Sequence, residues 1–166
     1  MLSILPKEKQ VETKKIEQEL LSISKYRSTV IANRFGTILI LIVLITSTII
    51  TRESIRAYYV LIANALLPLF LSHVFRPKKE QNTLLLPHLA KRYNYHSFKY
   101  TAYSISFLFV CLLLYLWNHY ELTNAGTRDF LSFAPIIILF IMVSIRIFGI
   151  PYYKRKLHLM LLFSRF

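Results

Sequence analysis

Five histidines, one cysteine and eight carboxylates are the groups in this chain able to hold a metal ion, act as a nucleophile or move a proton, and their spacing decides which of these they can do. His88 and His96 share a segment, but Lys91, Arg92 and Lys99 surround them. Those cations would repel a divalent metal rather than complete its shell. With His73, His119 and His158 they are read as interfacial polar residues. Cys111 has no second cysteine, so no intramolecular disulfide can form and nothing points to an oxidising compartment. The sequence contains no HExxH, GxSxG, Walker loop, CxxC or GxGxxG. The expectation is a protein that is not an enzyme and needs neither cofactor nor metal.

Polar residues inside apolar stretches carry more information. Pro68 has no amide hydrogen, so the carbonyl of Asn64, four residues earlier, loses its intrahelical donor. In apolar surroundings that carbonyl and the Asn64 side-chain amide both need partners, so this face should turn towards other helices or water. Ser72 continues the same face. Arg146 interrupts the last apolar stretch about a turn before Pro151, close enough to a boundary for its guanidinium to reach lipid phosphate; pairing across an oligomer or lining an aqueous pore is the sharper reading. Asn64, Pro68, Ser72 and Arg146 are the candidates for helix–helix contact or for a pore lining. Pro135 lies near the start of its stretch, where a helix tolerates it.

The elements that must position these residues follow from composition. The chain is 55% hydrophobic with three glycines, and its charges are fenced off between long uncharged runs. A span needs roughly 20 apolar residues to cross a ~30 Å hydrocarbon layer. Spans are expected at about 35–51, 57–75, 100–120 and 130–151. A soluble bundle is disfavoured because Thr37 to Ile45 (TILILIVLI) and Ile136 to Val143 (IIILFIMV) are apolar all round, leaving no polar face for water. The expected fold is all-α: a polytopic integral membrane protein with four transmembrane helices in two antiparallel hairpins. The Thr51 to Arg56 connection is short enough to make the first two spans antiparallel neighbours. Asn124-Ala125-Gly126, in the 118–129 connection, reads as a turn. No Asp or Glu falls within a span, which removes the usual relay of an ion-coupled transporter.

Orientation comes from the flanking cations, which resist transfer across a membrane. Seven precede the first span (Lys7, Lys9, Lys14, Lys15, Lys25, Arg27, Arg34). The inner loop 76–99 carries six, and four follow the last span (Lys154, Arg155, Lys156, Arg165). The opposite side has only Arg52, Arg56 and Arg128. Both ends are therefore expected on the cytoplasmic or matrix side of a bacterial or organellar inner membrane. The first apolar run begins after about 30 polar residues and lacks a small-residue cleavage site, so it reads as an uncleaved anchor.

Three parts result: a basic amphipathic arm (1–34), the four-span domain (35–153) and a C-terminal interfacial segment (154–166). In the arm, Ile16, Leu20, Ile23 and Val30 share one helical face, with Arg27 interrupting the seam. It is expected to lie on the membrane or the inner loop, with a short coiled coil continuous with the first span as the alternative. In the C-terminal segment, Arg155, His158 and Arg165 sit on one side of a helical wheel among leucines, a pattern suited to the interface. The net charge of +13 implies an anionic inner leaflet as partner, with Arg76, Lys78, Lys79, Lys91, Arg92, Lys99, Lys154, Arg155 and Lys156 as its contacts. The basic and aromatic run from Lys91 to Tyr100 could stack on single-stranded nucleic acid, but it abuts a span, where such residues form a headgroup belt. Nucleic acid is accordingly disfavoured.

The leading functional expectation is a small non-enzymatic membrane subunit or assembly scaffold, partnered by other membrane subunits or by itself. The alternative is a homo-oligomeric pore or channel that depolarises a membrane when triggered. A lipid-handling enzyme using His73 and His119 is weaker, because the topology separates the two. The charge asymmetry yields a direct check: protease-sensitive tags at the two termini of the chain should be cut from the same face of a sealed vesicle, and a tag placed in 118–129 from the other. Termini on different faces would overturn the assignment.

Overall fold

A computed structural model describes the backbone at residues 7–51, 55–77, 85–121 and 125–163. These residues form five helices and no strand: α1 (Lys7–Thr51), α2 (Ile55–Val74), α3 (Pro87–Arg92), α4 (Ser97–Glu121) and α5 (Ala125–Phe163). Four of them contain stretches long and apolar enough to cross a membrane. Lys78 and Lys79 lie outside the described residues.

Helix α1 runs 45 residues without a break, about 68 Å at 1.5 Å per residue. The arm and the first expected span are therefore one rod, because no proline or glycine cluster interrupts the hydrogen-bond ladder where the composition changes. Its hydroxyls are absorbed by the helix itself. Ser24, Thr29, Thr37 and Thr48 each donate to the carbonyl four residues back, at 2.6–2.9 Å. This lets polar side chains sit among apolar ones without outside partners.

One row organises the packing of α1. Leu20, Ser24, Ser28, Ala32, Gly36, Ile40 and Leu44 recur at every fourth position, and all are buried. Such rows are the ridges by which helices interlock, and the small members allow close backbone approach. A methyl group at Gly36 would collide with Met142 of α5 and the Phe107 ring of α4; one at Gly149 of α5 would strike Ser28. Each step of four drifts by about 40° around a 3.6-residue helix, so the buried face rotates along α1. In the apolar half, Ala32, Ile40 and Leu44 join Val60, Phe107, Val110, Leu114, Ile138 and Met142 in the main core.

At the other end the same row enters a second core, in which Leu20 and Ile23 pack with Leu86, Leu89 and Leu157, flanked by Ile16, Tyr93, Tyr95 and Leu161. This head unites the arm, the inner loop and the end of α5. The C-terminal segment is thus the last turns of α5 rather than a separate interfacial helix: Pro151 does not stop it, because Leu157 finds a buried place against the arm. The arm in turn packs against the inner loop, and its interrupting cation is accommodated, with Arg27 5.2 Å above the Tyr93 ring.

Within the loop, α3 is anchored just ahead of its N-terminus and capped at its C-terminus. Both Glu19 carboxylate oxygens accept backbone hydrogen bonds, from Leu85 at 2.8 Å and Leu86 at 3.0 Å, at the end where a helix dipole favours negative charge. At the other end Asn94 takes a left-handed φ of 49°. There the amide of Tyr95 donates to Ala90 O and that of Asn94 to Lys91 O, the paired bonds of a Schellman motif.

Two further expectations are corrected. Helix α2 packs chiefly on α4 and touches α1 only slightly, so a short connection has not made the first two spans close neighbours along their length. The 118–129 connection is shorter than expected: α4 continues to Glu121 and α5 starts at Ala125, so Ala125 and Gly126 are helical, and Asn124 lies outside the described residues. Around this frame large apolar side chains point outward, with Ile49 71% exposed, Phe140 74% and Phe148 76%.

The α1 row predicts an asymmetric response to substitution. Gly36→Leu should cost at least about 2 kcal/mol, since over-packing a filled site costs roughly 1–3 kcal/mol. Ser24→Ala, which removes a donor together with its local bond, should stay within about 0.5 kcal/mol. Unfolding titrations in mixed micelles would measure both.

Candidate functional site

The junction between head and bundle is the most polar part of the interior. Asn33, on α1, sits between two neighbours: its Nδ2 donates to Tyr103 O of α4 at 3.2 Å, and its Oδ1 accepts from a terminal guanidinium nitrogen of Arg146 at 3.3 Å. Arg146 therefore turns inward to α1, and its Nε is buried with no hydrogen-bond partner among the described residues. One turn earlier on α1, the Ser28 hydroxyl reaches α5 backbone, 3.0 Å from Arg146 O and 3.2 Å from Ile145 O. Three helices are thus tied at one level by a serine, an asparagine and an arginine.

Tyr26 packs against the same junction, its ring stacked 6.3 Å from Tyr103 and edge-on to Tyr95 at 5.6 Å. Burial, with neighbouring Tyr103 adding to it, pushes its phenol up to about 12, so the hydroxyl stays protonated throughout the physiological range. Burial likewise raises Tyr95.

Beside Asn33 a cavity of about 240 Å³ is lined by Val30, Asn33, Arg34, Thr37, Asn64, Pro68, Tyr103, Ser106 and Phe107. It gathers α1, α2 and α4, and places the Asn64–Pro68 turn of α2 against polar groups of α1. Thr37 and Ser106 spend their hydrogens on Asn33 O and Tyr103 O, at 2.8 and 3.2 Å. The Arg34 guanidinium and the Asn64 carboxamide make no hydrogen bond among the described residues. No carboxylate lines the cavity.

The other polar candidates lie apart from it. The Ser72 hydroxyl donates to Leu69 O at 2.8 Å within its own helix. Arg76, Lys91, Arg92, Arg155 and Lys156 are exposed, Lys154 is half-buried, and Lys99 Nζ donates to Asn94 Oδ1 at 3.4 Å. His73 is exposed in the last turn of α2. His119, in the last turn of α4, stacks on Tyr115 at 5.6 Å. No cluster of three metal-ligating side chains occurs among the described residues.

A second polar cluster lies between α1, α4 and α5. Pro135 deprives Leu131 O of its intrahelical donor, and Asn118 Nδ2 of α4 supplies the missing bond at 2.9 Å. Asn118 Oδ1 in turn accepts from Ser47 of α1 at 3.0 Å. Trp117 Nε1 and Ser132 Oγ are buried nearby in sequence without partners among the described residues. The demand for a donor at Leu131 can be read from Pro135 alone. That Asn118 answers it, or that Asn33 anchors Arg146, cannot, because each partner is set by helix packing.

Asn118→Leu should cost about 1–3 kcal/mol, the usual penalty for a buried carbonyl left unpaired. Adding Pro135→Ala, which restores an amide four residues after Leu131, should recover most of that loss. No recovery in the double variant's unfolding midpoint would show that the bond to Leu131 is not what Asn118 contributes.

Comparison with known proteins gave no relative: no family model, no curated protein and no solved structure matches the chain.

Proposed function

We propose that this chain is an integral membrane protein and a non-enzymatic subunit of a larger membrane assembly, anchored by four spans and docking its partners through the head. The bilayer reading rests on four long apolar helices whose large apolar side chains face outward on all of them, among them Tyr58, Leu66, Phe70, Leu108 and Phe140. Contiguous exposed apolar surface of this extent needs lipid or protein to cover it. With cations concentrated on one side, both ends lie on the cytoplasmic or matrix face of an inner membrane.

The subunit reading is carried by the head. An ordered core of Leu20, Ile23, Leu86, Leu89 and Leu157, built from three remote parts of the chain, holds together a module beyond the spans. It stands on α1 and α5, both unbroken through the junction. A membrane anchor alone has no need of such a module. Helix α2, held mainly by α4, leaves further apolar surface for a neighbour in the membrane plane.

A homo-oligomeric pore is the second reading, favoured by the polar level at which Asn33, Arg34, Asn64 and Arg146 gather. Two measurements separate the possibilities. Mild extraction from the native membrane followed by native electrophoresis should show the 19.6 kDa chain within a larger species that holds other polypeptides; a monomer alone would overturn the subunit reading. A pore would instead give a complex of this chain only and ion flux in liposomes that changes when Asn64 and Arg146 are replaced.

A further inference from the structure

Pro68, Pro135 and Pro151 lie inside helices and each frees a carbonyl four residues earlier; the first two are treated differently. In α5 the carbonyl freed by Pro135 receives a dedicated donor, Asn118. In α2 the carbonyl freed by Pro68 is that of Asn64, and both residues line the 240 Å³ cavity. The Asn64 side chain there makes no bond among the described residues. Neither does Arg34, which is exposed and lines the same cavity from α1.

The free groups define the chemistry of an occupant. Arg34 offers a planar fork of N–H donors with a permanent positive charge, the geometry that matches a phosphate in bidentate fashion. Asn64 offers two more N–H donors, and its backbone carbonyl is short of one. Thr37 and Ser106 have committed their hydrogens and offer only lone pairs. With no carboxylate in the lining, a cation has no counter-charge. The set suits an anion rich in acceptors that also carries a hydroxyl. The remaining wall is apolar, from Val30, Pro68 and Phe107, so the ligand is an amphiphile rather than a free anion. The cavity is smaller than the ~300–1,000 Å³ pockets that engulf drug-sized ligands. It suits a headgroup whose chains remain outside, against exposed apolar residues such as Ile38 and Leu41 of α1, one turn beyond Arg34 and Thr37.

We infer that the cavity between α1, α2 and α4 binds the headgroup of one anionic phospholipid that bears hydroxyls, as the glycerol headgroup of phosphatidylglycerol does, with Arg34 on the phosphate and Asn64 on the headgroup hydroxyls. This rests on the bilayer reading and adds to it a defined site, distinct from diffuse contact between the basic loops and the leaflet. The site lies where α2 touches α1 only slightly, so the lipid would also brace α2 against α1.

The test uses the full chain in a mild non-ionic detergent, offered phosphatidylglycerol or phosphatidylcholine, with retained lipid read by native mass spectrometry. Phosphatidylglycerol should be retained at least tenfold over phosphatidylcholine. Arg34→Gln, at an exposed position where folding is not at risk, should reduce retention about tenfold, and Asn64→Leu several-fold. Lys15→Gln, equal in charge change but exposed, outside the cavity lining and nineteen residues before Arg34 on the same helix, should leave it unaltered. Equal retention by wild type and Arg34→Gln overturns the site, as does an equal loss in Lys15→Gln, which would indicate general surface charge. Displacement of the lipid by millimolar inorganic phosphate would assign the site to a soluble anion and overturn the lipid assignment. Failure of the bilayer reading itself is separately visible, since the chain would then appear in the supernatant after carbonate washing of the membranes.

Discussion

A hydrogen-bonding group placed among apolar helices has no water to fall back on, and most of this architecture can be understood as the settlement of that demand. Serine and threonine hydroxyls turn back on their own helices. The carbonyl exposed by Pro135 is answered by Asn118, which also receives Ser47. Arg146 and Tyr103 are both answered by Asn33. The residues that bridge helices are few, short and placed at two levels, so the polar bonds fix depth and rotation while apolar contact supplies the area.

Through the first of those levels and up to the second runs the row from Leu20 to Leu44. Its small members, Ser24, Ser28, Ala32 and Gly36, draw α5 close, as Ser28 against Gly149 and Gly36 against Met142 demonstrate. Dispersion and close backbone approach are what remain to hold helices together where no water is released by their contact. The slow rotation of the row explains how one helix can serve two cores, meeting α3 and the end of α5 at the head and α4 in the apolar half.

The existence of four long apolar helices was legible from charge spacing alone, and so was the need of the Asn64–Pro68 turn for polar company. The continuity of α1 belonged only to the coiled-coil alternative, because a switch from charged to apolar composition resembles a boundary although the backbone ladder is indifferent to it. Pro151 misled in the same manner: a proline reads as a stop, yet α5 continues because Leu157 and Leu161 meet Leu20, Ile23 and Ile16, residues more than a hundred positions away. Arg27, an intruder in a coiled-coil seam, became intelligible only beside Tyr93. Asn33, Asn118 and Glu19 carry no mark in the sequence, because their importance lies in the elements opposite them. The fourfold spacing of small residues on α1 was present in the chain from the start and could have marked the closest helix approach.

The unbroken length of α1 has a mechanical consequence. From Gly36, wedged between Phe107 and Met142, to Ile16 in the head is twenty residues, roughly 30 Å of stiff rod. With the wedge acting as fulcrum, a tilt of a few degrees displaces the tip by roughly 2 Å. The same tilt moves the opposite arm of the lever, from Ile40 to Leu44, the other way. A sideways force on the head therefore loads first the ties of Ser28 and Asn33 to α5 and α4, and any motion they let through arrives as torque on the packing around Phe107.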